Sequence, residues 1–241
     1  MNSLINKIDF ATLLPQKQAE TLLSQLTELN TSSQDILVDP LVLKQSENVR
    51  HWKSEWHLLT QLKDCDNTQE SINNYEKLTT DWLIQLFNTL FSDQQVVLSR
   101  SDGEPEYFPI QNGMPARIEF AHGFFASALH ELSHWCIAGE ARRRLPDFGY
   151  WYAPDGRTEK QQQAFERVEI KPQALECLFT LACNRSFEVS QDNLFADFNT
   201  SSSTFAEDVY LQAKEYILKP HTIPRDAKVI LHALLTVCAS H

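Results

Sequence analysis

What this chain of 241 residues lacks narrows its chemistry before any motif is considered. No apolar run approaches the roughly 20 residues that cross a bilayer, and the longest, Ile230 to Ala239, is interrupted by His232. The opening Met1 to Lys7 carries no apolar stretch of the secretory kind, so the expected compartment is the cytoplasm. The five cysteines, Cys65, Cys136, Cys177, Cys183 and Cys238, form no CxxC pair, which argues against a disulfide framework and against a thiolate zinc knuckle. Positive charge is in deficit: 21 Lys and Arg face 32 Asp and Glu, a net charge of −11 that disfavours broad binding to nucleic acid. There is no internal repeat and no low-complexity tract.

What is present suffices for a substantial core: 42% of the residues are hydrophobic, among them fourteen Phe and five Trp. Residues 1–72 read as an N-terminal helical extension. Pro15 suits a helix start, Leu22, Leu23, Leu26 and Leu29 supply an apolar stripe, and Trp52, Trp56, Leu59 and Leu62 do the same over Glu47 to Leu62. Residues 73–241 form the expected main domain, whose first helix runs from about Ser71 to Phe91. Short strands are expected at Val96-Leu98, Tyr107-Phe108 and Arg117-Phe120, parted by Asp102-Gly103 and Asn112-Gly113 turns, with another at Phe148-Tyr152. Helices are predicted over Glu159 to Val168, Pro172 to Cys183, Thr204 (with Glu207 as a capping box) to Leu218, and Arg225 to Ala239. The class is therefore α+β, a compact domain with a small mixed sheet.

The main motif is His130-Glu131-Leu132-Ser133-His134, an HExxH. Two imidazoles four residues apart lie on one side of a helix and can grip one ion. The helix, Gly123 to about Ala138 with Gly139 just past its end, is apolar nearly all round, so it is expected to be buried. Buried imidazoles need partners; a metal satisfies both, and backbone carbonyls are the alternative. Two histidines leave an ion undercoordinated, and the nearest candidates for a carboxylate ligand are Glu166 and Glu169, the latter flanked by Val168 and Ile170. Two chemistries stay open: zinc with water polarised by Glu131, as in a peptidase, or iron(II) on two histidines and a carboxylate, as in a hydroxylase. No His-x-Asp or His-x-Glu occurs, so 2-oxoglutarate is not an expected cosubstrate. Arg142, Arg143 and Arg144, with Arg157, Lys160, Arg167 and Lys171, gather positive charge near the motif, suited either to a helix C-terminus or to docking an acidic partner.

At these residues the chain resembles the elongation factor P hydroxylases. The likeness runs through Phe120-Ala121-His122-Gly123-Phe124, Ala126-Ser127-Ala128, His130-Glu131, Ser133 to Gly139, Ala141-Arg142-Arg143, Asp147 to Tyr152, Pro154 to Arg157, Val168-Glu169, Lys171 to Leu175 and Asp192-Asn193-Leu194. The resemblance implies a non-haem hydroxylase that uses dioxygen on the β-lysylated lysine of elongation factor P, the final step of that modification. It implies His130, His134 and Glu169 as ligands of a divalent metal, with Fe(II) expected, and Glu131 and His122 as candidate catalytic residues, Glu131 either supporting a ligand or serving acid/base work. Arg142, Arg143, Arg157 and Lys171 are the expected partner-binding residues. It also implies a fold similar to a metal-dependent ribonuclease. A gluzincin-like zinc peptidase, a metal-dependent ribonuclease and a noncatalytic binding module are the competing readings.

Overall fold

The computed structural model describes residues 8–32, 46–63, 68–121, 123–149, 156–191 and 203–238, and among these it has seven α-helices and a three-stranded sheet. In chain order these are α1 (Gln16–Ser32), α2 (Ser46–Lys63), α3 (Gln69–Leu90), β1 (Val96–Arg100), β2 (Glu106–Phe108), β3 (Ala116–Phe120), α4 (Phe125–Arg142), α5 (Glu159–Ala182), α6 (Phe205–Leu218) and α7 (Arg225–Cys238). The architecture is mostly helical with a small mixed sheet, as an α+β chain requires.

β3 is the central strand, paired parallel with β1 (Val96 opposite Ala116) and antiparallel with β2 (Tyr107 opposite Ile118). Asn112 (φ 54°) and Gly113 (φ 77°) make the turn from β2 to β3, a left-handed pair matched to strand twist. Side chains cap both outer strands. The Asn88 amide of α3 accepts from Leu98 N–H at 2.7 Å and donates to Leu98 C=O at 3.3 Å, while Asp147 accepts from Tyr107 N–H at 2.9 Å. Alternation buries Val96, Leu98, Ala116, Ile118 and Phe120. α3 packs against β1 and α4 against β3, and Trp135 of α4 meets Phe87 and Phe91 edge-on. Near the chain start, α1 lies on α7 with Leu22 and Leu26 fully buried, and α2 sets Trp52 and Trp56 against Trp82 of α3.

α4 is buried along most of its length, as its composition predicts. It starts two residues later than expected, because Gly123 (φ 69°) forms the approach, where a Cβ would meet the Arg100 side chain at 3.3 Å. Gly139 (φ 68°) breaks the helix after Ala138, and one further turn follows. Three local expectations fail. Glu159–Ala182 is one helix, opened by a Thr158–Gln161 capping box and running through Pro172, rather than two helices parted there. Pro172 removes one backbone bond, but Ala174, Leu175, Leu178 and Phe179 beyond it are fully buried, and that burial holds the helix together. Phe148 and Gly149 belong to a 3-10 turn, Pro146–Gly149, with Asp147 and Phe148 at positive φ, instead of starting a strand; Tyr150-Trp151-Tyr152 lie outside the described residues. Thr204 precedes α6 without capping it: its hydroxyl bonds Asp208, and Ser203 Oγ accepts from Phe205 N–H.

Candidate metal centre

α4 and α5 pack side by side, and their facing stripes supply the polar groups that the surrounding core could not otherwise accommodate. His130 and His134, one turn apart on α4, turn their Nε2 atoms toward each other at 3.0 Å. From α5, Glu169 brings Oε1 to 3.3 Å from His134 Nε2 and Oε2 to 3.7 Å from His130 Nε2. Glu169 is 1% exposed. Its Oε1 is buried without a hydrogen bond and faces His134 only as an ion-pair partner.

A buried carboxylate oxygen without a hydrogen bond has room for an ion beside it. Metal–nitrogen and metal–oxygen bonds of about 2.0–2.2 Å place neighbouring donors roughly 3.0–3.5 Å apart, and the three separations here come close to that. Among the described residues, His130, His134 and Glu169 are the cluster of this kind, with ligating atoms all within 4.8 Å of one another. The donor set, two imidazoles and a carboxylate, suits a divalent ion.

A further carboxylate, which sequence reasoning missed, stands behind this cluster. Glu176 Oε2 accepts from His130 Nδ1 at 2.8 Å. Gln173 sits between the two glutamates; its amide donates to Glu169 Oε2 at 3.4 Å and to Ser190 C=O at 2.7 Å, and its oxygen accepts from Ser190 N–H. Glu169, Gln173 and Glu176 are spaced four and three residues apart, one face of a continuous helix. That spacing was the available signal, and dividing the helix at Pro172 conceals it.

The charges are coupled. Burial works against charge on His130, but the Glu176 carboxylate, helped by Glu169 and Glu131, pushes its pKa up to about 10. Burial would raise Glu169, yet His134 and His130, with the Gln173 amide, hold it down at about 2. Glu131, half-buried beside the pair, is raised by burial, which outweighs the attraction of His130 and His134 and favours its protonated form.

Glu166 is engaged elsewhere, accepting from Gln162, Gln191 and Ser203. His122 lies outside the described residues. Of the candidate docking residues, Arg143 points inward, with its guanidinium 3.5 Å from the Trp135 ring and 2.6 Å from Asp226. Arg157, 4% exposed, stacks on Phe165 and bonds Gln162 and Gln191. Arg142 donates to Phe148 C=O, and Lys171 is exposed on α5.

Two packed helices, one of them lying on the small sheet, bring two histidines and one carboxylate to a point, and this defines the class: a protein with a two-histidine, one-carboxylate group suited to a divalent ion. The chain belongs to the elongation factor P hydroxylase family, whose pattern matches residues 86–240. An elongation factor P lysine hydroxylase from Haemophilus influenzae is 42% identical over 155 residues, covering 64% of this chain and 85% of that protein.

Proposed function

We propose that the protein hydroxylates the β-lysylated lysine of elongation factor P, using dioxygen at one Fe(II) held by His130, His134 and Glu169. The observation that carries this reading is the buried Glu169 carboxylate, one oxygen of it without a hydrogen bond, set against two imidazoles in a chain of this family. Held by these three residues, such an ion would supply redox chemistry. The rest falls to the chain. His130, with 28% of its side chain exposed against 8% for His134, marks the side from which a long lysyl side chain enters. Tight packing around His134 and Glu169 excludes water from the opposite side. Glu131, whose pKa burial raises, stands beside the pair as the group for acid/base work. Insertion of one oxygen atom needs two electrons besides those of the C–H bond, and a reductant separate from this chain would deliver them.

Docking of the factor is assigned to exposed cations beside the site, Lys171 foremost, since Arg143 and Arg157 spend their charge internally. A translation factor as substrate puts the enzyme in the cytoplasm; no described helix is long and apolar enough to cross a membrane. The HExxH spacing also supports a second reading, a zinc peptidase with Glu131 as base, and the family resemblance leaves a metal-dependent ribonuclease as a third. One experiment separates them. Anaerobically iron-loaded protein, mixed with β-lysylated factor and a reductant and then aired, should add one oxygen to the factor by mass spectrometry. Cleavage of the factor, or RNA degradation without any mass gain, would transfer the assignment to the peptidase or the nuclease.

A further inference from the structure

We infer that Glu176 is a positioning residue: its carboxylate holds His130 by Nδ1 so that Nε2, the atom facing Glu169 and His134, is the one free to ligate. The inference rests on the metal-site reading above and deepens it.

An imidazole has two nitrogens, and a ligating one must offer its lone pair. Glu176 Oε2, 2.8 Å from Nδ1, can only accept, so the proton on that nitrogen is kept in place and Nε2 becomes the donor atom. The partner is well held. Glu176 is 13% exposed and sits on α5, the same helix that carries Glu169, about two turns beyond it toward the C-terminus. His130 is the more exposed of the two histidines, and its ring has the greater freedom to turn away. A carboxylate behind it removes that freedom and raises the donor strength of the ring. Because Glu169 and Glu176 share one rigid element, the first as ligand and the second as support, any movement of α5 relative to α4 shifts both together.

The alternative is an ordinary ion pair that ties α4 to α5 and matters only for stability. Cobalt(II) titration, followed by visible absorption, and thermal melting of the metal-free protein distinguish the two. We expect Glu176→Ala to weaken cobalt binding by about 10–100-fold. Glu176→Gln, whose amide oxygen still accepts from Nδ1–H, should recover most of that loss, and the metal-free melting temperatures of the two variants should be alike. Cobalt affinity unchanged in Glu176→Ala, or Glu176→Gln as weak as Glu176→Ala, overturns the positioning role. Wild-type protein that takes up no cobalt is a different outcome, and it sinks the metal reading itself.

Discussion

Single residues set the affinity of this site, and the three proposed ligands should be separable from their neighbours. Alanine at His130, His134 or Glu169 is expected to weaken metal binding by more than about a hundredfold, beyond what outer contacts cost, while the fold survives. Glu166→Ala should keep its metal, because that carboxylate is spent on Gln162, Gln191 and Ser203; elemental analysis of the purified variants checks both. Protonation gives a second test. In the metal-free protein His130 stays protonated until pH nears about 10, so an ion binding at neutral pH must displace its Nε2 proton. Glu169, ionised above about pH 2, contributes none. Calorimetry in buffers of different ionisation heat should show proton release, and affinity should climb about tenfold per pH unit for each proton displaced. Flat affinity between pH 6 and 8 would contradict the coupling. The linkage signs for the metal-free fold are opposite. The raised His130 pKa contributes stability that is full below its unfolded value near 6.5 and lost as pH rises through about 10. The depressed Glu169 pKa contributes stability that is present above its unfolded value near 4.5 and lost as pH falls through about 2.

Among the elements, α5 bears the heaviest demand, since a proline stands between the helical turns that hold Glu169 and Glu176. Replacing Pro172 by alanine restores a backbone donor and a better helix former. The melting temperature should hold or rise, yet metal affinity should fall, because the two glutamates lie on opposite sides of the altered turn. Equal affinity in Pro172→Ala and wild type would show that the proline has no part in aligning them. Asn88→Ala is the reverse case, far from the metal but costly to the sheet: it strips two bonds from Leu98, and about 1–3 kcal/mol should be lost in denaturant unfolding. Sequence alone made α4 legible, because HExxH in an all-round apolar helix has few stable settings, and the resemblance singled out Glu169. Glu176 and Gln173 were hidden because local propensity treats Pro172 as an end, whereas burial on both sides of it decides the outcome. The inward turn of Arg143 and Arg157 was equally hidden: charge predicts exposure, and only the packed structure reveals Trp135, Asp226 and Phe165 waiting for them.

For the whole molecule, the helices before residue 73 are best regarded as a cover that gives no ligand to the site, a proposal that deletion can test. Removing residues 1–69 should leave one metal per chain but lower the melting temperature, since Trp82 and the α7 face lose the side chains packed on them. The single change Trp56→Ala probes the same contact more gently and should cost about 3–5 kcal/mol; a loss below about 1 kcal/mol would mean the cover is loosely held. The sheet has a consequence at this scale too. Three strands leave two outer edges, and an outer edge is a template on which another chain can crystallise its own backbone. Asn88 answers both backbone groups of Leu98 in the middle of one edge and Asp147 the Tyr107 N–H in the middle of the other, so crowding in solution should not drive copies of this protein to assemble strand on strand.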